Sequence, residues 1–372
     1  MKTAKLRIAF LAPELAGYTA ACQRRFKEKY GVELLVVHWP VARNAPFREQ
    51  IFAHIDHRYD KSILTGTQLI QLLEDFAPQA MLISGWMDKD YLRAARHMRK
   101  AGVPVLSGCD TQWTGSLRQR VGSWIAPWYL HRAIDVLWVT GERQRQLAWR
   151  LGYRGERCWS GYYACDWESF AIQSPRQLAA ATPAFLYVGR LIQRKGIDTL
   201  IAAYQQYRQA VEQPWALWVA GTGQEAHLLE GVEGVKALGF VQPAALPKLF
   251  QQVSAFVLPS RVEPWGVVLQ EAAAAGLPLI CSDVSGAAVH LLTDHYNGYW
   301  FETGNAAALA NCMQRMTALS EDAWAQMSQH SFALSKQFTP ELWADTLIQG
   351  LDKFPKTNRK PQIANGEQAD FR

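Results

Sequence analysis

The chain is expected to be an α/β protein built from two tandem Rossmann-like, doubly wound domains facing a central cleft, and three observations predict it. Its 372 residues exceed what one ordinary core needs. Each half alternates short β-branched runs with amphipathic segments, the order that gives parallel sheets. Between the halves, residues 169–183 are rich in Gln, Ala, Ser and Pro, show no clear strand and read as a linker.

The elements follow in order. Residues 7–11 form a first strand, 20–30 a helix and 34–38 a second strand, which is one βαβ unit. A helix at 68–76, a strand at 80–84, a helix at 91–100 and a strand at 103–107 extend it. After Asp110 comes an aromatic and basic tract, then a strand at 133–139 and a helix reaching Leu151. The first domain is set at residues 1–168. The second, 169–340, opens with a strand at 184–188 and a helix at 197–211. Strands at 216–220, 235–239, 255–258 and 278–281 follow, with helices at 306–316 and 321–338. A last helix, 340–354, opens at a Thr339 cap and is expected to cross back to the first domain, ahead of a loose polar tail.

Composition narrows the function classes. Nearly half the residues are apolar, 15 Trp among them, which is material for two cores rather than for disorder. No run approaches the roughly 20 apolar residues that span a bilayer, and residues 6–13 read as a strand rather than a signal peptide, so a cytoplasmic location is expected. Six Cys without a CxxC pair fit reduced thiols. The formal charge of +6 permits attraction to anionic lipid or phosphate without demanding nucleic acid, and no nucleic-acid partner is expected.

The strongest chemical signal lies at 259–278. Glu263 and Glu271 stand in an E-x7-E arrangement after the buried run ending Leu258-Pro259-Ser260. If the interval is helical it spans about 12 Å, enough to touch both ends of an extended ligand. Pro264 suits an early helical position, and Gly266, with Val267 and Val268 after it, forms a helix start where backbone N–H groups meet phosphate. Taken alone, the spacing is better explained by a dipole partner and a solvated helix residue. A second cluster, Gly189-Arg190 with Lys195-Gly196, follows a buried strand, and its two cations are placed to neutralise a diphosphate leaving group. Gly221-Thr222-Gly223 is a turn where backbone can approach a nucleotide, and Phe240 is either a base-facing edge or a plain strand end. The full G-x-G-x-x-G and the P-loop lysine are both missing, which favours neither a dehydrogenase nor an ATPase.

On these residues, with Val188-Gly189-Arg190-Leu191, Ala275-Gly276-Leu277-Pro278 and Asn297-Gly298, the stretch 184–310 resembles the donor domain of the retaining family-four glycosyltransferases of the GT-B fold. The resemblance implies transfer of a hexose-type sugar from a UDP- or GDP-sugar to a hydroxyl of a glycan or lipid-linked acceptor, in cell-surface polysaccharide synthesis, with no metal or other cofactor. Arg190 and Lys195 would bind the diphosphate, Glu263 the transferred sugar and Glu271 the ribose, the roles the residues themselves suggest. Gly17 matches a glycine turn that closes over the donor. The family's Gly-Gly-x-x-Glu is Ser285-Gly286-Ala287-Ala288-Val289 here, so one carboxylate is absent. Where many members carry a His, this chain has Asp110, which is either a sugar or acceptor contact or a helix N-cap. The alternative on the same fold is a non-catalytic sugar-nucleotide- or polysaccharide-binding subunit.

Asp88-Lys89-Asp90 has the D-x-D form of metal-dependent transferases but precedes a helix, so capping is expected of it. His54 and His57 lack further ligands at useful spacing. In residues 113–132, Trp113, Trp124, Trp128 and Tyr129 mix with Arg118, Arg120 and Arg132, a composition suited to peripheral contact with an anionic membrane at its inner face, or to packing under a loop.

Overall fold

A computed structural model describes residues 5–40 and 49–354. Among the described residues the first domain carries seven strands: β1 (Arg7–Ala12), β2 (Glu33–His38), β3 (His57–Asp60), β4 (Ala80–Ile83), β5 (Val105–Cys109), β6 (Val136–Val139) and β7 (Cys158–Ser160). Their order is β3-β2-β1-β4-β5-β6-β7. The second carries β8 (Thr182–Val188), β9 (Ala216–Ala220), β10 (Val235–Gly239), β11 (Val253–Leu258), β12 (Leu279–Ser282) and β13 (Gly298–Phe301), ordered β10-β9-β8-β11-β12-β13. The strand pairs are parallel in both sheets. Central strands such as β4 and β5 are buried along their whole length, as a sheet covered on both faces requires. Strand order reverses between β1 and β4 and again between β8 and β11. At such switch points the loops leaving the strands diverge and open a crevice.

Helices α1 (Gly17–Tyr30), α2 (Gly66–Phe76), α3 (Lys89–Lys100), α4 (Leu117–Tyr129) and α5 (Glu142–Arg150) flank the first sheet. A short α6 (Trp167–Phe170) begins the linker. The second sheet is flanked by α7 (Ile197–Ala210), α8 (Leu246–Gln252), α9 (Val267–Ala274), α10 (Ala288–Leu291), α11 (Ala306–Thr317) and α12 (Glu321–Ser335). The chain then returns to the first domain through α13 (Pro340–Asp352), capped by Thr339. Trp343 stacks on Trp138 at 4.9 Å, meets Phe26 edge-on and donates through Nε1 to the Tyr162 carbonyl at 2.9 Å. Lys29 pairs with Asp345 at 2.6 Å, so α13 is fastened to α1 on its polar side too.

The linker is not slack. Arg176 donates to the carbonyls of Phe250, Gln251, Val253 and Ala275 and lies over the Trp324 ring. Asp88 caps α3 by accepting from the amides of Asp90 and Tyr91 at 2.9 and 3.0 Å, which gives the D-x-D sequence its structural role. His57 pairs with Glu33 at 2.9 Å, and no group of three metal-ligating side chains occurs among the described residues. No described helix is long and apolar enough to cross a membrane.

Candidate active site

The β8/β11 switch point builds the first wall. After β8 the chain runs through Arg190 to a 3-10 turn at Gln193–Lys195, closed by Gly196 at φ 71°. A Cβ on Gly196 would stand 2.2 Å from the Pro259 carbonyl oxygen, so only glycine lets this turn press on the loop leaving β11. The amides of Arg261 and Val262 donate back to the Arg194 carbonyl and fix that contact. The ammonium of Lys195 thereby meets the carboxylate of Glu263, and Ser260 Oγ donates to the same Oε2 at 3.0 Å. Glu263 is only 7% exposed. These two predicted residues are brought into direct contact.

Gly221 and Gly223 have a nearer neighbour than any ligand. A Cβ on Gly221 would lie 1.8 Å from the Gly189 oxygen, and one on Gly223 2.2 Å from the Leu191 oxygen. The turn after β9 thus packs on the Gly189–Leu191 loop, and the Leu191 amide donates to the Thr222 carbonyl at 2.8 Å. Gly189 itself faces the Tyr187 hydroxyl, which donates to the Arg190 carbonyl at 3.0 Å. The Arg190 side chain is exposed, beside Lys195 in sequence but not in contact with Glu263. Phe240, 38% exposed, offers a ring just past the end of β10.

The helical interval between the two glutamates needs correcting. Helix α9 begins at Val267 with Gly266 as N-cap at φ 98°, so Glu263 and Pro264 precede it and the uniform rise of about 12 Å does not apply. Val267 and Val268 are half-buried in the first turn. Glu271 sits one turn on, half-buried rather than solvated, and burial with the nearby charge of Asp166 pushes its pKa up to about 7. Native protein therefore holds an extra proton between pH 4.5, the ordinary value, and pH 7, and the contribution of Glu271 to stability falls as pH rises across that window. Glu271→Gln should melt with wild type near pH 4.5 and above it beyond pH 7. Equal melting temperatures at both ends would refute the assignment.

Asp110 lies on the opposite wall, at the end of β5. It is not a helix cap, since α4 is capped by Ser116. Its carboxylate accepts from the Tyr163 hydroxyl at 3.4 Å, and burial raises its pKa. It lines a cavity of about 220 Å³ at the β1/β4 switch point with Glu14, Tyr18, Ser84 and Tyr162. Gly17, first residue of α1, faces Pro243 of the second domain: a Cβ there would be 4.0 Å from the proline Cβ.

Two amides that sequence reasoning missed join the walls. Gln112 Nε2 lies within hydrogen-bond reach of the carbonyls of Glu263, Pro264 and Val284, at 3.1, 3.0 and 3.2 Å. Gln144 donates to the carbonyls of Asp110 and Pro264. The backbones carrying Asp110 and Glu263 are thus tied through neutral side chains, which no charge or spacing pattern announces. Val289, where the resembled family's Gly-Gly-x-x-Glu carries its carboxylate, is 43% exposed.

Residues 171–330 match the family model for glycosyl transferases group 1. The second domain resembles that family along nearly its whole length. An uncharacterized glycosyltransferase of Methanocaldococcus jannaschii is 31% identical over 172 residues, 42% of each chain. A glycogen synthase of Mycobacterium tuberculosis is 36% identical over 34% of this chain and 31% of its own. The chain thus spans less than half the length of these relatives. Among solved structures, Anabaena HepE in complex with UDP superposes with a TM-score of 0.74, covering 93% of this chain and 100% of that one at 18% identity. The same protein bound to UDP-glucose gives 0.73. The architecture is GT-B, two Rossmann-like domains facing one cleft. Within it, the second domain contributes a paired lysine and carboxylate, an exposed guanidinium and an exposed ring. Such a set can neutralise phosphate charge, accept sugar hydroxyls and stack a base.

Proposed function

We propose that the protein transfers a hexose-type sugar from a UDP- or GDP-sugar to a hydroxyl of a glycan or lipid-linked acceptor, with retention and without a metal, in cell-surface polysaccharide synthesis. The observation that carries this reading is the Lys195–Glu263–Ser260 cluster at the β8/β11 switch point, tied by Gln112 to the wall bearing Asp110. The donor diphosphate would take Lys195 and Arg190, releasing Glu263 to accept sugar hydroxyls, while Glu271 accepts from the ribose and Phe240 meets the base. In the transfer step the bond from C1 to the diphosphate oxygen breaks, the acceptor oxygen bonds to C1 on the same face, and its proton passes to the leaving phosphate. UDP and UDP-glucose bound to the structural neighbour support the donor class. The exposed apolar residues of α4, Trp124 at 73% and Trp128 at 59%, beside Arg120 and Arg132, support peripheral contact with an anionic membrane at its cytoplasmic face.

The test is release of nucleoside diphosphate from a panel of UDP- and GDP-sugars, with and without membrane extract. Wild type should release one nucleotide in an extract-dependent manner, and Glu263→Ala should release little. Nucleotide-sugar binding without turnover under any condition would instead support the non-catalytic binding subunit.

A further inference from the structure

Helix α4 leaves an unfilled trough between itself and the carboxyl edge of the first sheet. It measures about 1140 Å³, above the range of roughly 300–1,000 Å³ that suits a drug-sized ligand. Val121, Gly122 and Ile125 line it from α4, and Trp86 and Leu147 line it opposite. Val121 and Ile125 are 59% and 41% exposed, so the trough opens to the surface along an apolar lip. Asp110 lines the same trough, as do Arg118 and Lys89. Arg118 belongs to the first turn of α4, the end that follows Asp110 in the chain, whereas Ile125 lies toward the other end. A carboxylate, two cations and an apolar wall from α4 thus line one trough, with Arg118 Nη2 lying 3.6 Å from Met87 Sδ, two residues before Lys89.

We propose that this trough holds the acceptor itself, as an amphiphile whose long alkyl or isoprenoid chain lies under α4. Its anionic phosphate meets Arg118 and Lys89, and its hydroxyl reaches Asp110. The placement of the hydroxyl rests on the transfer reading above; the seating of chain and phosphate does not. Burial of one methylene is worth about fourfold in affinity, so chain length is the sensitive readout.

The test is calorimetric titration of the full chain with dodecyl phosphate and with butyl phosphate, both as monomers. Wild type should prefer the longer chain by about 100-fold or more. Gly122→Phe puts a ring into the trough where a Cβ meets nothing within 4 Å, and it replaces a poor helix former, so the fold should stand. It should reduce the preference to within about threefold. Should its melting temperature show that it does not fold, Val121→Asp makes the same test. Arg118→Ala should weaken both phosphates alike and keep the preference. Equal binding of the two chains by wild type, or an unchanged preference in folded Gly122→Phe, overturns the proposal. Binding to anionic vesicles alone, with monomeric dodecyl phosphate ignored, also overturns it and assigns α4 to the membrane surface. Failure of the transfer reading is separate: no sugar nucleotide would turn over although dodecyl phosphate still binds.

Discussion

Lys195→Ala is expected to lower turnover by about 100- to 1,000-fold, the range set by losing one preorganised charge at a developing anion. Stability should fall as well, because Glu263 is 7% exposed and, among the described residues, would keep only Ser260 as a side-chain partner. Breaking a buried pair from one side costs about 3–5 kcal/mol. The two effects separate in the double variant Lys195→Ala/Glu263→Gln read against Glu263→Gln alone, since Glu263 is itself a proposed sugar contact. A neutral amide at 263 no longer buries an unpaired charge, so the melting temperature should return toward wild type while turnover stays low. If the double variant turned over as fast as Glu263→Gln alone, the lysine would be a structural partner of Glu263 only and its contact with the diphosphate would be lost as an explanation.

The residues that sequence reasoning found in this cluster share one property: each is charged or glycine and follows a strongly apolar strand. Val188-Gly189-Arg190 and Leu258-Pro259-Ser260 mark the ends of β8 and β11, and ends of buried parallel strands are readable because both faces must be apolar. The two edge strands of the first sheet are not readable in that way. The His57–Asp60 strand is half-buried throughout and carries no apolar run, and Cys158–Ser160 has three residues. Helix α4 contains Gly122 and Pro127 and buries only Ala126, so its periodicity is hidden, although its exposed aromatic and basic residues are plain in the sequence. The glutamate spacing was legible, but its helical meaning was not, since Gly266 starts α9 three residues after Glu263. Gln112 and Gln144 were silent because an amide donating to distant carbonyls depends wholly on how the two domains meet.

Gly141→Ala tests that meeting directly. Gly141 has φ −168°, an extended value any residue adopts, so alanine brings no local strain. Its Cβ, however, would stand 2.5 Å from Trp265 Cζ3 and 2.6 Å from His290 Nε2, across the interface between domains. Trp265 has no room to yield, and the half-buried His290 is held by two contacts. Trp265 is 2% exposed and packs edge-on against Phe338 at 5.3 Å, while His290 accepts from the Glu142 amide at 3.1 Å and lies against Phe338 at 5.5 Å. The cheapest response is to move the domains apart. Trp265 shares its loop with Glu263 and Pro264, whose carbonyls Gln112 and Gln144 hold, so the displacement should part Glu263 from Asp110. A shift of about 1 Å at reacting groups costs about 100-fold in rate. Gly141→Ala should therefore lose about two orders of turnover with a larger radius of gyration in solution scattering and intact cores. Wild-type turnover with unchanged scattering would mean that this contact does not position the two walls.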